Sequence, residues 1–199
     1  MTLSSAPAAL LSLLAHVSNA IDESDEQLMQ RYQQGDEAAF RCLFTRYAGP
    51  IYRYFLHRTG RADLALDCAQ ATWLKLHRAR QSYRRDERVR PWLYAIAANL
   101  RIDALRSQGR SREALTSDGV LPELAVEGPD ADGRERAVRR ALLHLPDEVR
   151  TIIILHRWHE LGFAEIAAML GQSEGAVKVR AHRAYLQLRT LLLAEGISS

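Results

Sequence analysis

Cysteine is scarce in this chain. Cys42 and Cys68 are the whole complement, far apart and each inside an amphipathic helical pattern. That argues against a disulfide framework or a cysteine-built metal site, and for two buried thiols in a reducing compartment. No apolar run reaches the roughly 18 residues that a membrane span requires. The apolar start, APAALLSLLAHVSNA, is not preceded by Lys or Arg as a secretion signal would be. Leu10, Leu11, Leu14, Val17 and Ile21 are instead expected on one face of a short amphipathic helix. No segment alternates apolar and polar residues with a period of two, so the expected fold class is all-α. Solenoid-length repeats are missing as well.

Enzyme signatures are equally thin. There is no Gly-rich phosphate loop, nucleophile elbow or paired-carboxylate pocket. The best argument for an enzyme is His156-Arg157-Trp158-His159-Glu160, with two histidines at i, i+3. Its order is neither HExxH nor HxxEH, and no further ligand cluster accompanies it. A solvated or partner-facing helix end is the expected role. No catalytic residue, no metal and no cofactor is therefore assigned, and the chain reads as a non-enzyme.

What is present is an uneven charge on a globular composition. The 199 residues are 47% hydrophobic, enough for one large or two small cores, and the formal net charge is only +3. Between Lys75 and Arg112, however, eleven Lys and Arg face three acids, whereas seven acids face two arginines between Glu113 and Arg136. A basic block followed by an acidic, Gly/Pro-containing stretch suits a nucleic-acid surface followed by a flexible linker.

The most specific pattern is FAEIAAMLGQSEGAVKVRAHRAYLQLRTLLL, from Phe163 to Leu192. Ile166, Ala167 and Leu170 share a helical face, and Gly171 follows where a left-handed C-terminal turn is least costly. Ser173 caps a second helix in which Val177, Ala181, Ala184 and Leu188 recur at core-facing spacing. The opposite side carries Gly175, Val179, His182 and Arg183, flanked by Lys178 and Arg180. This is a helix-turn-helix with a basic, slim-ended second helix able to enter a major groove about 12 Å wide.

Upstream, Ser24 or Asp25 caps a helix over Glu26–Gln34, and Gly35-Asp36 punctuates before a helix through Phe40, Leu43, Phe44 and Tyr47. Pro50 is expected to open a separate helical run that Gly60 ends. Ala62–Arg80 is amphipathic, QSYRRDERVR forms an Arg-rich loop, and Pro91 starts a helix carried to the basic end at Arg106–Arg112. Trp92 and Tyr94 are open to either a base-stacking or a core role; Trp92 shares a face with Ile96 and Leu100, which favours the core. After a linker, helices are expected at Arg136–His144 and from Pro146-Asp147 to His159.

Taken together, GDEAAFRCLFTRY, IYRYFL, LDCAQATWLKL and RPWLYAIAANLRIDALR, then LPDEVRTIIILH, FAEIAAMLG and SEGAVKVRAHRA, resemble a bacterial RNA polymerase sigma factor. The type is the small extracytoplasmic-function (ECF) one of the sigma-70 family. The resemblance covers roughly 26–106 and 142–192. It implies an N-terminal extension over 1–23, sigma region 2 over 24–108, a flexible linker over 109–133 and region 4 over 134–195.

The resemblance also implies roles by position. Asp67, Gln70 and Leu74 would contact the clamp helices of the polymerase's largest subunit, with Ala71 standing where the family commonly has Glu. Tyr83, Arg84, Arg85, Arg88 and Arg90 would grip the opened −10 element, Asn99 would line a pocket for a flipped base, and Arg101 and Arg106 would hold phosphates. Lys178, Val179, His182 and Arg183 would approach bases of the −35 element, with Arg180 and the N–H groups near Ser173 and Gly175 on phosphates. Ala176 replaces a usual Thr, and Gln172 a usual apolar residue. Implied partners are core RNA polymerase, including its flap, promoter DNA, and an anti-sigma factor that is often membrane-bound. The implied location is cytoplasmic. The competing reading is a stand-alone helix-turn-helix regulator, which would have no need of a single-strand surface around Tyr83–Asn99.

Overall fold

The structure, a computed structural model, describes residues 23–100 and 133–194. Among these residues there are eight α-helices, one 3-10 turn over Arg80–Ser82, and no strand. The expected N-terminal helix, the linker and Arg101 and Arg106 lie outside the described residues.

Four helices form the N-terminal group: α1 (Asp25–Gln33), α2 (Glu37–Thr59), α3 (Ala62–Ala79) and α4 (Val89–Ala98). Three of the four starts have an identifiable cap; α3, which follows Arg61, has none. Ser24 Oγ accepts from Gln27 N at 3.2 Å while Gln27 Oε1 accepts from Ser24 N at 2.9 Å, a reciprocal box that satisfies two otherwise unpaired donors. Asp36 Oδ1 accepts from Ala38 N and Ala39 N at the head of α2. The α4 start has no cap from its own Arg88; Glu26 Oε1, reaching over from α1, accepts from Val89 N at 3.1 Å.

Two sequence expectations are corrected here. Pro50 does not open a new helix: α2 runs unbroken through it for 23 residues. Core side chains on both sides of the proline, Phe44 and Tyr47 before it and Ile51 and Phe55 after it, hold one axis despite the missing N–H. Conversely, α4 ends at Ala98 with Asn99 as its C-cap, well short of Arg106.

The core of this group is aromatic. Trp73 of α3 is fully buried, edge-on to Phe40 with ring centroids at 6.0 Å and 4.8 Å from Phe44, while Tyr32 of α1 stacks on Phe40 at 4.8 Å. Edge and offset pairs of this kind add about 0.5–1.5 kcal/mol each beyond simple burial. Cys68 is buried beneath them; Cys42 is only half-buried.

The C-terminal group comprises α5 (Gly133–Leu143), α6 (Asp147–Trp158), α7 (Phe163–Leu170) and α8 (Glu174–Ala194). Gly171 adopts the expected left-handed turn, φ 64°, between α7 and α8. In α6 the consecutive residues Ile152, Ile153, Ile154 and Leu155 are all buried. Four in a row cannot share one face at 100° per residue, so α6 is covered on opposite sides. It packs on α8 and α7 from its own group and on α2 from the other.

The two groups therefore share one continuous core with a polar seam through it. Arg58 of α2 pairs with Asp147, Arg150 Nη1 donates to Arg58 O at 2.5 Å, and the Tyr94 hydroxyl meets His159 Nδ1 at 2.6 Å. His159 thus corrects the expectation of a solvated helix end: it is 7% exposed, enclosed by the N-terminal group.

Candidate nucleic-acid interface

Three surfaces collect the residues singled out in the sequence. On α3, Leu64, Ala65, Cys68, Thr72 and Leu76 turn inward. At 100° per residue Asp67, Gln70 and Leu74 fall together on the other side, and all three are partly exposed. Ala71 lies in the same stripe. The result is a mixed apolar and polar strip on a helix whose buried face is already fully engaged, which suits docking against another protein.

The second surface lies at the join of α3, the loop 81–88 and α4. Arg84, Arg85 and Arg88 project from the loop and are exposed. Arg84 folds back on Asp86, with Nη2 to Oδ2 at 2.9 Å, which raises the guanidinium's pKa further and fixes its direction. Arg88 Nη1 lies 2.8 Å from Glu165 of α7, and Arg90 Nη1 lies 3.5 Å from Glu160.

Tyr83 is not part of the exposed grip. It is 4% exposed, its hydroxyl donates to Glu87 O at 2.5 Å, and its ring meets Trp92 edge-on at 5.1 Å. Burial pushes its phenol up to about 12. Tyr83 is thus a prop under the loop, because closing the turn onto α4 requires an apolar ring inside it.

Trp92 combines its two expected roles, packing against the core on one side and staying open on the other. It is half-buried, one side against Tyr83 and the other lining an open groove with Lys75, Arg78, Ile96 and Asn99. An aromatic face with two cations and a side-chain amide beside it can stack a base, hold its phosphate and hydrogen-bond its edge. Sequence reading placed Lys75 and Arg78 in the basic block but gave them no individual role; it is packing of α3 against α4 that brings them beside Asn99.

The third surface is α8. Val177, Ala181, Ala184 and Leu188 are buried as the spacing requires, leaving Gly175, Lys178, Val179, His182 and Arg183 exposed. Val179 is 51% exposed, a β-branched apolar side chain half open to solvent. Ser173 Oγ accepts from Ala176 N at 3.3 Å, capping the helix. A Cβ added at Gly175 would meet nothing within 4 Å, so the room there opens outward and not into the core.

Arg180 is held from the side: Nη1 donates to Glu148 Oε1 at 2.8 Å and to Gln172 Oε1 at 3.0 Å, while Gln172 Nε2 donates to Glu148. The unusual polar residue at position 172 is thereby accounted for. Lys178 Nζ lies 2.6 Å from Glu174 Oε1, one turn back. The exposed helix face, its capped slim end and its flanking cations fit a duplex groove in shape and charge. Among the described residues no three His, Cys, Asp or Glu side chains gather closely enough to hold a metal ion.

Comparison with known proteins matches these surfaces to two family models: sigma-70 region 2 over residues 43–111 and sigma-70 region 4 over residues 135–188. The RNA polymerase sigma factor CarQ of Myxococcus xanthus is 37% identical over 166 residues, spanning 82% of this chain and 95% of that protein. The ECF RNA polymerase sigma factor SigW of Bacillus subtilis is 31% identical, spanning 82% and 94%. Among solved structures, CnrH in complex with the cytosolic domain of CnrY superposes with a TM-score of 0.64 at 25% identity, covering 86% of this chain and 99% of that one. The sigma factor RpoE bound to the anti-sigma factor NepR from Bartonella quintana gives 0.60 at 26% identity, covering 77% and 96%.

Proposed function

Because the chain belongs to the ECF group of the sigma-70 family of RNA polymerase sigma factors, we propose how its three surfaces divide the work of starting transcription. As a sigma factor it is an initiation factor: bond-making belongs to the polymerase, and this chain supplies placement. Region 2 is assigned to 24–108 and region 4 to 134–195, joined through 109–133.

The α3 strip of Asp67, Gln70 and Leu74 docks on the clamp helices of core polymerase. The groove of Trp92, Lys75, Arg78 and Asn99, with Arg84, Arg85 and Arg88 beside it, captures the strand exposed at the −10 element. Separating bases costs a few kcal/mol per step, which stacking at about 1–3 kcal/mol per base and phosphate contacts offset. The α8 face reads the −35 duplex: Val179 offers an apolar contact to a thymine methyl, and Arg183 and Lys178 reach acceptors on guanine. Arg180 and the N–H groups at Ser173–Gly175 hold phosphates.

The observation that carries this reading is the pairing of two different nucleic-acid surfaces in one chain, an aromatic-cationic groove and a slim basic helix. A stand-alone regulator would need the second alone. Among the described residues no helix is long and apolar enough to cross a membrane. RpoE was solved with the anti-sigma factor NepR, and we assign this chain the same mode of control, with a membrane-bound partner as one way of holding it.

Run-off transcription with core polymerase over a promoter library tests the assignment. Asn99→Ala is expected to impair opening while leaving duplex binding intact, and Arg183→Ala to weaken −35 use about 5–150-fold, the equivalent of one good base contact. Tight promoter binding by the protein alone, or failure to redirect the start site of core polymerase, would overturn it.

A further inference from the structure

Promoter recognition makes no use of the two histidines in the seam between the helical groups. His57 is 3% exposed and His159 7% exposed, and the Nε2 of each is buried without a hydrogen-bond partner. His57 Nδ1 donates to Arg53 O at 2.9 Å, and its ring lies 4.8 Å from that of Trp158 in the other group. His159 Nδ1 meets the Tyr94 hydroxyl across the seam, its ring 4.6 Å from that of Tyr94 and 5.9 Å from that of Tyr54.

We propose that this seam is an acid-opened latch: the groups stay packed while His57 and His159 are neutral, and protonation of either ring drives them apart. Protonation buries a charge in either ring; at His57 the added N–H falls on Nε2, which has no acceptor, and at His159 it falls on Nδ1, which then no longer accepts from the Tyr94 hydroxyl. The surroundings are mostly cationic. From α2, Arg53 faces both rings; from α4, Arg90 faces His159; from α5, Arg139 and Glu135 act on His57 in opposite senses. Asp25, Arg46 and Tyr47 line the neighbouring cleft, where Tyr47 donates to Asp25 and Arg46 pairs with it. Glu160, beside His159, is 83% exposed and turned to Arg90.

Burial, then the mutual effect of the two histidines and the arginines, pushes His159 down to about 3, and burial lowers His57 as well. Once the seam opens, each ring returns to an ordinary value of about 6.5. The folded-closed values are depressed, so closure is strongest above pH 6.5 and weakens as the pH falls below it. Between pH 7.5 and 5.5 the open-to-closed ratio rises about tenfold from His159 alone, and further with His57. Opening also frees Arg88 from Glu165 and Arg90 from Glu160, releasing two cations at the segment assigned to the −10 strand. The latch itself does not rest on that assignment.

Small-angle scattering of the full chain at pH 7.5 and 5.5, with circular dichroism on the same samples, tests it. The expected result is a larger radius of gyration at pH 5.5 with helix content retained. The double variant His57→Phe/His159→Asn keeps ring bulk at one site and an acceptor for Tyr94 at the other, and is expected to show no such change. Should that variant misfold, Tyr94→Phe removes the cross-seam bond while keeping both titrating rings, and is expected to open at higher pH than wild type. A wild-type radius that does not respond, a response equal in the double variant, an unshifted Tyr94→Phe, or helix lost together with compactness would each overturn the proposal.

Discussion

Arg58 and Asp147 close a two-pronged ion pair between the helical groups, Nε to Oδ1 at 3.0 Å and Nη2 to Oδ2 at 2.6 Å. The arginine side is 8% exposed and the aspartate side 54%. Arg58 also donates to Tyr54 Oη and to Ala98 O, so its guanidinium is committed on several edges at once. Despite burial, Tyr54 and Asp147 together raise its pKa, and it stays charged. Asp147→Ala leaves that charge in the seam with only neutral acceptors. Because the carboxylate is half in solvent, a loss of about 1–2 kcal/mol is expected, below the full penalty for a dry pair. Urea unfolding of wild type and variant measures it.

The left-handed glycines separate local strain from packing. Gly171→Ala, with φ at 64° and nothing within 4 Å of the added Cβ, should cost about 1 kcal/mol from backbone strain alone. Gly60→Ala carries the same strain at φ 69° and also sets its Cβ 2.7 Å from Leu143 Cδ1. A larger loss in thermal melts is expected there, with Leu143→Ala relieving part of it; equal losses for the two glycines would contradict this.

Asp36 gives a pH signature. The Arg31 guanidinium holds its carboxyl below the usual range against the opposing effect of burial, with the amides of Ala39 and Ala38 adding to the lowering. A depressed folded value stabilises above the ordinary pKa of about 3.9 and is lost as the pH falls through the folded value. Asp36→Asn keeps the cap but not the charge. Both partners are about a third exposed, so the neutral-pH deficit should stay under about 1 kcal/mol. Denaturant titrations at several pH values should show the gap closing below about pH 4.

In the α3/α4 groove, Trp92→Ala should reduce capture of a fluorescent −10 single strand by the holoenzyme by about 1–3 kcal/mol, the worth of one stacked base. Lys75→Ala and Arg78→Ala should weaken the same binding and flatten its salt dependence. An unchanged salt slope in both would remove those cations from the interface.

Much of this was legible in the chain because the informative signals were local. Gly171, Ser173 and the Val177 to Leu188 spacing specify the helix-turn-helix with no outside help, and Asp36 and Gly60 mark helix ends by their own chemistry. What failed depended on contacts distant in sequence. Pro50 reads as a start until neighbours on both sides are seen to hold one axis. Tyr83 goes inside because its ring closes on Trp92 edge-on, a contact between the loop and α4 that no local pattern announces, while Trp92 keeps one side open. His159 looks solvated until α2 and α4 close over it.

The side-on hold of Arg180 by Glu148 and Gln172 alters what that arginine can give to a DNA complex. A backbone phosphate must evict a carboxylate already in place, so one anion is traded for another and little net attraction is gained. What survives the exchange is direction: the guanidinium is pre-aimed from the α6 side, so the second helix of the unit sets the angle at which the fourth presents this arginine.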